Sequence, residues 1–496
     1  MKNKYILALD QGTTGSRALI FNERGKIVRS AYKEFKQYYP KPGWVEHDAQ
    51  EIWESICHVI KAALIKGHID PKQIKAIGIT NQRETSVIWE RKTSKPVARA
   101  IVWQCRRTAD ICQKLKKYTQ TFRHKTGLVV DPYFSGTKIK WYLDNIKGLR
   151  DKARKGSLCF GTIDSWLIWK LTAGASHATD MTNASRTLIF NIRTKKWDDQ
   201  LLKILGIPKQ ILPKVQNSGS VFGRTVGARH AAPLPSGIPI TGVLGDQQAA
   251  LYGQGCTEPG TVKNTYGTGC FIMLNTGKKF VASKGGLLTT LASDLKGKPV
   301  YALEGAIFIA GAVMQWLRDE LKFFKTAPES EKIINDVKDT HGVYLVPAFT
   351  GLGAPYWDAQ ARGLISGLTR GANYKHIIRA ALEAIAYQTK DVFELMKKET
   401  GKPIRELKVD GGACKNNFLM QFQSDLLDCR ILRPQIIEST AQGAAFLAAV
   451  TAGIYKARDL AQMNRTGRIF KPNMSDAKRK ELYAGWLHAV EKSKER

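Results

Sequence analysis

The sequence predicts an α/β protein of mixed sheets flanked by helices, arranged as two related halves. Three observations carry that expectation. From Tyr5 to Thr80 the pattern runs strand, strand, strand, helix, strand, an order that suits a sheet covered by helices. A hairpin with a glycine–threonine turn opens the chain, and a similar one recurs about 255 residues later. The chain is 496 residues long, beyond the roughly 100–200 of one domain, and its 43% hydrophobic content can supply more than one core.

The elements follow in order. Residues 5–9 form a short apolar strand, Asp10-Gln11-Gly12-Thr13-Thr14-Gly15 a turn, and 16–21 the returning strand, with a third over 25–32. Residues 51–65 are helical, because Ile52, Ile56, Val59, Ile60 and Ala63 fall on one stripe. The run 74–80 reads as a buried strand, as does 238–244, which stops at Gly245-Asp246 before a helix over 247–252. The boundary is expected near there, giving domains of 1–251 and 252–496. The second hairpin pairs 261–265 with 270–275 around Tyr266-Gly267-Thr268-Gly269. Helices are expected over 306–321 and 376–398, the latter ended by Gly401. A strand over 407–409 then meets the turn Asp410-Gly411-Gly412.

Composition removes several function classes. The 77 Lys+Arg against 43 Asp+Glu give a net charge of +34, yet the basic residues are dispersed, in short clusters such as 114–117 and 147–155. None alternates with aromatics as a single-strand stacking platform would. A solvated basic surface that steers polyphosphates is therefore preferred to a nucleic-acid face. No apolar stretch approaches the ~20 residues of a membrane span; the best, 305–317, is too short, and residues 5–9 are too brief for an export signal. A cytoplasmic protein with reduced thiols is expected, since the 8 cysteines show no close pair. Asn183-Ala184-Ser185 spells a glycosylation acceptor that such a protein does not use. There is no H-E-x-x-H or G-x-S-x-G motif, which leaves hydrolase readings little support.

Several constellations can carry chemistry. In Asp10 to Arg17, glycines expose backbone N–H groups, Thr13 and Thr14 add hydroxyl donors, and Arg17 offers a phosphate-matching fork. Asp10, ending a strand beside that loop, is placed to hold Mg²⁺. The plain alternative is an ordinary hairpin turn. The loop is not a Walker A motif, so ATP would bind by another architecture. Asp246, at a strand's C-terminal end, can accept a hydroxyl proton in phosphoryl transfer, or can simply cap a helix. The adjacent Arg83 and Glu84 can donate to and accept from vicinal hydroxyls, or can form a solvated loop pair. Trp103 and Tyr133 are core aromatics by default and otherwise the wall of a polyol pocket. Gly311 and Gln315 share one helix face, where a base could approach closely. Gly411-Gly412 with Asn416-Asn417 make a further glycine turn suited to ribose or adenine.

Taken together, these segments resemble the FGGY family of carbohydrate kinases, and within it the members that phosphorylate glycerol. The likeness runs from Tyr5 to about Trp486. It is most specific over residues 9–17, 40–47, 78–85, 102–107, 245–250, 264–271, 346–357 and 409–425. It implies two ribonuclease H-like (actin-like ATPase) domains with an active-site cleft between them. It also implies ATP-dependent conversion of glycerol to sn-glycerol 3-phosphate, with Mg²⁺. By that likeness Arg83, Glu84, Tyr133 and Asp246 hold the hydroxyls, helped by Gln247, while Trp103 and Phe271 flank the carbon chain. Asp246 is the general base, and it and Asp10 are the metal positions. Thr13, Thr14, Gly15, Arg17, Thr268, Gly311, Gln315, Gly412 and Asn416 match nucleotide contacts. A homo-oligomer, dimer or tetramer, is expected. The chain departs from the pattern in places. Gly15 stands where many relatives have Ser, which removes one side-chain donor. The loop 223–236 lacks a glycine-rich basic turn used by some relatives to bind a sugar bisphosphate. Lys478 replaces an acidic residue that others use for a regulatory transport protein. The rival readings are a kinase for another polyol or sugar, and a basic polyphosphate- or nucleic-acid-binding protein.

Overall fold

The computed structural model describes residues 4–227, 233–358 and 360–494. The middle of the loop 223–236, where sugar-bisphosphate binding is doubted, lies outside the described residues. Contacts divide the chain into two units. The first comprises residues through Thr257 together with Thr289–Tyr301 and Thr440–Met463; the second comprises Glu258–Leu288, Ala302–Ser439 and the residues from Asn464 onward. Two segments of the sequence's second half therefore pack with the first unit, which a cut at one residue does not express.

The first unit is built on a six-stranded sheet. Its strands are β1 (Tyr5–Gln11), β2 (Gly15–Asn22), β3 (Ile27–Glu34), β4 (Ile74–Asn81), β5 (Gly223–Arg224) and β6 (Pro239–Gly245), in the order β5-β6-β4-β1-β2-β3. β1 runs antiparallel to β2 and parallel to β4, and β4 is parallel to β6. A β-rich apolar run buried on both faces is what a central parallel strand requires.

Helix α1 (Ala49–Gly67) covers one face. Asp48 starts it by accepting from the backbone N–H groups of Gln50 and Glu51, and His68 ends it in the left-handed region. Its stripe of Ile52, Ile56, Val59, Ile60 and Ala63 is fully buried, each large aliphatic side chain contributing roughly 1.5–3 kcal/mol. It packs with Leu7, Leu9, Ala18 and Ile20. The alternate residues, Ile6, Ala8, Leu19 and Phe21, face the other way, against Ala441, Ala445 and Phe446. There the helix Ser439–Thr451 comes unusually close to the sheet. A Cβ on Gly78 would lie 2.2 Å from the Ala444 carbonyl oxygen, and one on Gly242 2.6 Å from the Ala448 nitrogen. Small residues are what let 440–463 join this unit.

The second unit repeats the plan. Its main sheet has seven strands, with Leu288–Ser293 at one edge followed in order by Pro299–Ile307, Cys270–Gly277, Val262–Tyr266, Glu406–Asp410, Arg430–Pro434 and Thr466–Phe470. The hairpin pair is antiparallel, the next two strands join in parallel, and the edge strand is antiparallel, as in the first unit. The related halves read from the two glycine turns thus appear in the topology itself. The long helix Tyr374–Thr400 is capped by Asn373 and closed by Gly401. The helix expected over 306–321 begins only at Gly311, because 299–307 is a strand. An apolar run buried on both faces carries no period that separates strand from helix.

None of the eight cysteines forms a disulfide. Among the described residues no helix is long and apolar enough to cross a membrane. Lys478 pairs with Glu481 at 2.7 Å on the surface of the C-terminal helix.

Candidate functional site

The C-terminal ends of β1, β4 and β6 bring the first group of candidate residues to one sheet edge. Thr80 of β4 is paired with Asp10 of β1, and Asp10 with Arg17 of β2. Because side chains alternate along a strand, these register partners share a face. Asp10 continues the Ile6–Ala8 side. Gly245, the last residue of β6, is paired with Asn81, and Asn81 with Gln11. Asp246 follows directly, opening helix α2 (Asp246–Gly253). Asp10 and Asp246 thus stand at the same edge, two strands apart, with Asp246 two residues beyond the Leu244–Thr80–Asp10 row. Two hard carboxylates suit Mg²⁺, which usually takes one or two of them and fills its shell with water and phosphate oxygens. Among the described residues no three His, Cys, Asp or Glu side chains gather into a closed metal cage.

The loop between β1 and β2 has its carbonyls held mostly by donors from neighbouring segments. Gly12 N–H donates to the Gly15 carbonyl at 2.9 Å. The carbonyl of Gly12 accepts from Gln82 Nε2 at 3.2 Å, that of Thr13 from Gln37 Nε2 at 3.0 Å, and that of Thr14 from Phe35 N–H at 3.4 Å. Carbonyl lone pairs that would repel a phosphate are therefore turned toward donors. Trp103 Nε1 donates to Thr13 Oγ1 at 2.9 Å, which links this loop to the next group of residues.

That group centres on Arg83, 2% exposed. Its Nε lies 3.0 Å from Asp246 Oδ1 and 3.8 Å from Glu84 Oε1. Its other nitrogens reach Gln248 Oε1 at 3.3 Å and the Tyr133 hydroxyl at 3.5 Å. Gly245 makes this path possible, since a Cβ there would lie 2.8 Å from the Arg83 side chain. Asp246 Oδ1 also accepts the Gln247 backbone N–H at 2.7 Å, and the Asp246 side chain remains one-third open (33%). Trp103 and Tyr133 meet edge to face, with centroids 5.6 Å apart. Arg83, Glu84, Trp103, Tyr133, Asp246 and Gln247 are thus neighbours within one unit. Phe271 lies in the second unit, opposite Thr265 in the hairpin there.

Glu84 is held in a strained conformation, with φ of 58°. Its carbonyl oxygen explains how: it accepts from Ser135 Oγ at 3.0 Å, Ser86 Oγ at 3.1 Å and Lys138 Nζ at 3.3 Å. Burial lowers the Lys138 pKa to about 8. The Glu84 carboxylate accepts from Arg186 Nε at 2.7 Å, and the Arg186 side chain has no exposed surface. The same guanidinium lies over the rings of Tyr133 and Phe134, 5.6 and 5.3 Å from their centroids. Two arginines therefore face two carboxylates, and Glu84, 1% exposed, sits where an unpaired charge would be costly. Arg186, Gln248 and Lys138 were invisible to sequence reasoning. Arg186 directly follows Asn183-Ala184-Ser185, and nothing local marks it as a partner of Glu84.

Arg186 is delivered by a short buried helix, Met181–Ala184, capped by Asp180. Thr182 Oγ1 of that helix accepts the Gly245 N–H at 2.9 Å, and Asn183 pairs with Asn81. Beneath it lies a second buried carboxylate, Asp164, which accepts from Thr162 and from Thr179 Oγ1. Burial first, then the charge of Asp180, pushes Asp164 up to about 7. The folded state therefore holds this proton more tightly than the unfolded chain, whose aspartates titrate near 4. Its stabilising effect is full below about pH 4 and is lost as pH rises through about 7. Unfolding free energy measured by denaturant should carry a falling component across that window, and Asp164→Asn should flatten it. An identical pH slope in the variant would remove Asp164 as its source.

In the second unit the hairpin turn is closed by Gly267 N–H donating to the Gly269 carbonyl at 2.9 Å. The start of helix Gly311–Asp319 rests directly on it: Ala310 and Ala312 N–H donate to the Thr268 carbonyl, and Gly311 N–H to that of Gly267 at 3.0 Å. A Cβ on Gly311 would lie 2.6 Å from the Gly267 oxygen, so only glycine allows the approach. Gln315 is exposed one turn along. Gly411, with φ of 86°, packs on Tyr266, whereas Gly412 faces open space. Asn416 caps helix Asn417–Leu427 by accepting from Leu419 N–H at 2.8 Å. Thr268 and Gly311 are thereby brought together. Gly412 and Asn416 bracket the turn beside Tyr266, at the end of the same hairpin.

Comparison with known proteins places these features in context. The N-terminal domain of the FGGY family of carbohydrate kinases matches residues 5–253, and its C-terminal domain matches 262–452. The chain is 57% identical to a glycerol kinase from Geobacillus sp. (strain WCH70) over 490 residues, 98% of each chain. It is also 57% identical to a glycerol kinase from Caldanaerobacter subterraneus subsp. tengcongensis over 493 residues, covering 99% of this chain and 98% of the other. Among solved structures, Plasmodium falciparum glycerol kinase with ADP superposes with a TM-score of 0.92 at 37% identity, covering 100% of this chain and 99% of that one.

Proposed function

The chain belongs to the FGGY family of carbohydrate kinases, and we propose that it transfers the γ-phosphoryl group of ATP to glycerol. The observation that carries this reading is the environment of Arg83: one buried guanidinium spans Asp246, Glu84 and Tyr133 at a sheet edge shared with Asp10. A small polyol needs just such a set, with donors and acceptors for vicinal hydroxyls beside an apolar wall.

In the proposed reaction Arg83 donates to, and Glu84 accepts from, adjacent hydroxyls, with Tyr133 and Gln247 completing the set. Trp103 and Tyr133 cover the carbon chain, and Phe271 of the second unit is assigned to the same task. Asp246, oriented by Arg83 and the Gln247 N–H, takes the proton of a terminal hydroxyl. The alkoxide oxygen forms a bond to the γ-phosphorus as the bond to the bridging oxygen of ADP breaks. Thr13, Thr14, Arg17 and the backbone N–H groups around Gly15 stabilise the phosphate oxygens. Asp10 and Asp246 would hold Mg²⁺, which when bound neutralises phosphate charge. Thr268, Gly311, Gln315, Gly412 and Asn416 are assigned to the nucleotide.

The test is ADP release over a panel of polyols and sugars. Saturable, glycerol-dependent turnover with the highest kcat/KM on glycerol is expected; a higher value on another polyol or sugar would overturn the substrate. Arg83→Ala should raise the glycerol KM by the equivalent of about 1.5–3 kcal/mol, the worth of a charged hydrogen bond. An unchanged KM would displace Arg83 from the polyol.

A further inference from the structure

The row formed by Thr80, Asp10 and Arg17 continues onto β3, where Arg17 is paired with Tyr32. Tyr32 therefore projects from the same sheet face as Asp10 and Arg17, and the Arg17 guanidinium lies 5.3 Å from its ring centroid. The far end of that ring occupies a particular place. A Cβ built on Gly15 would lie 2.6 Å from the Tyr32 hydroxyl oxygen, 2.6 Å from Cε2 and 2.7 Å from Cζ. The phenol hydroxyl thus sits where a side chain at position 15 would begin, at the end of the phosphate loop. Tyr32 is 47% exposed.

We propose that Tyr32 is a nucleotide-phosphate-binding residue: its hydroxyl donates to a phosphate oxygen at the Gly12–Gly15 loop, and its ring braces Arg17 for the same polyphosphate. This rests on the ATP reading above. A tyrosine hydroxyl is a sufficient donor, and the ring's electron-rich face stabilises the guanidinium in a fixed position. Packing an aromatic over a strand glycine can also be purely structural. Phenylalanine, which keeps the ring and removes only the hydroxyl, separates the two roles.

The experiment is calorimetric titration of the full chain with a non-hydrolysable ATP analogue. Absence of binding by the unaltered protein would count against the kinase reading itself. Given binding there, Tyr32→Phe is expected to weaken it roughly tenfold, the cost of one hydrogen bond to a charged group at a half-exposed site. Tyr32→Leu should weaken it further by releasing Arg17. Gly15→Ser combined with Tyr32→Leu, which places a hydroxyl in the vacated space, should bind more tightly than Tyr32→Leu alone. Support requires both the Phe loss and the Ser recovery. Unaltered binding by Tyr32→Phe, or no recovery in the double variant, overturns the proposal.

Discussion

Asp246→Asn is expected to lower kcat by on the order of 10²–10⁴, the usual worth of a positioned general base. The substitution preserves shape and removes the proton acceptor, so binding of the nucleotide analogue measured by calorimetry without added Mg²⁺ should stay close to that of the unaltered chain. The geometry makes the expectation specific. Arg83 Nε and the Gln247 N–H both bond Asp246 Oδ1, which orients the carboxylate while a third of the side chain stays open. An Asn can still accept those bonds through its amide oxygen, but it cannot take a hydroxyl proton. Turnover within a few-fold of normal would remove Asp246 as the base, whatever the family.

The second large effect concerns stability. Arg186→Met should destabilise the chain by about 3–5 kcal/mol, because it removes the nearer of the two guanidiniums that face the buried Glu84 carboxylate and leaves only Arg83, 3.8 Å away. Methionine keeps most of the side-chain volume, so a lost cavity term does not explain such a value. Glu84→Gln added to Arg186→Met should recover part of the loss, since the buried carboxylate that lost its nearer partner is then neutral. Denaturant unfolding of the three proteins measures this. A change below about 0.5 kcal/mol for Arg186→Met would show that Glu84 finds another partner. The same variant should raise the glycerol KM, because Arg186 also braces the Tyr133 ring. Arg186 is thus a positioning residue that acts on the polyol through Glu84 and Tyr133.

Both predictions use residues of very different visibility. Asp246 was legible because a β-strand of seven residues ends one position before it and a helix begins with it. Asp10 and the two glycine turns were legible for the same reason: a strand end, a turn and a return strand all lie within about a dozen residues. Arg186 was not. Its partner Glu84 lies 102 residues away, and its own neighbourhood reads as an unused glycosylation acceptor. Nothing in the local sequence distinguishes Gln248 from Gln247, although it is Gln248 whose oxygen meets Arg83. Tyr32 read as an ordinary strand residue, and Gly15 only as a lost donor.

By itself the amino-acid order determined the α/β class, the hairpins, the duplicated plan and the strand-to-helix junctions that carry Asp10 and Asp246. Each of those is written in contiguous residues, through apolar period, glycine turns and caps. Tertiary structure alone decided which side chains neutralise Glu84, which phenol fills the space beside Gly15, and why Thr440–Met463 packs with the first unit. Those outcomes follow from strand order, register and the clearance left by Gly78, Gly242 and Gly245, and a one-dimensional pattern holds no record of which distant strands become neighbours.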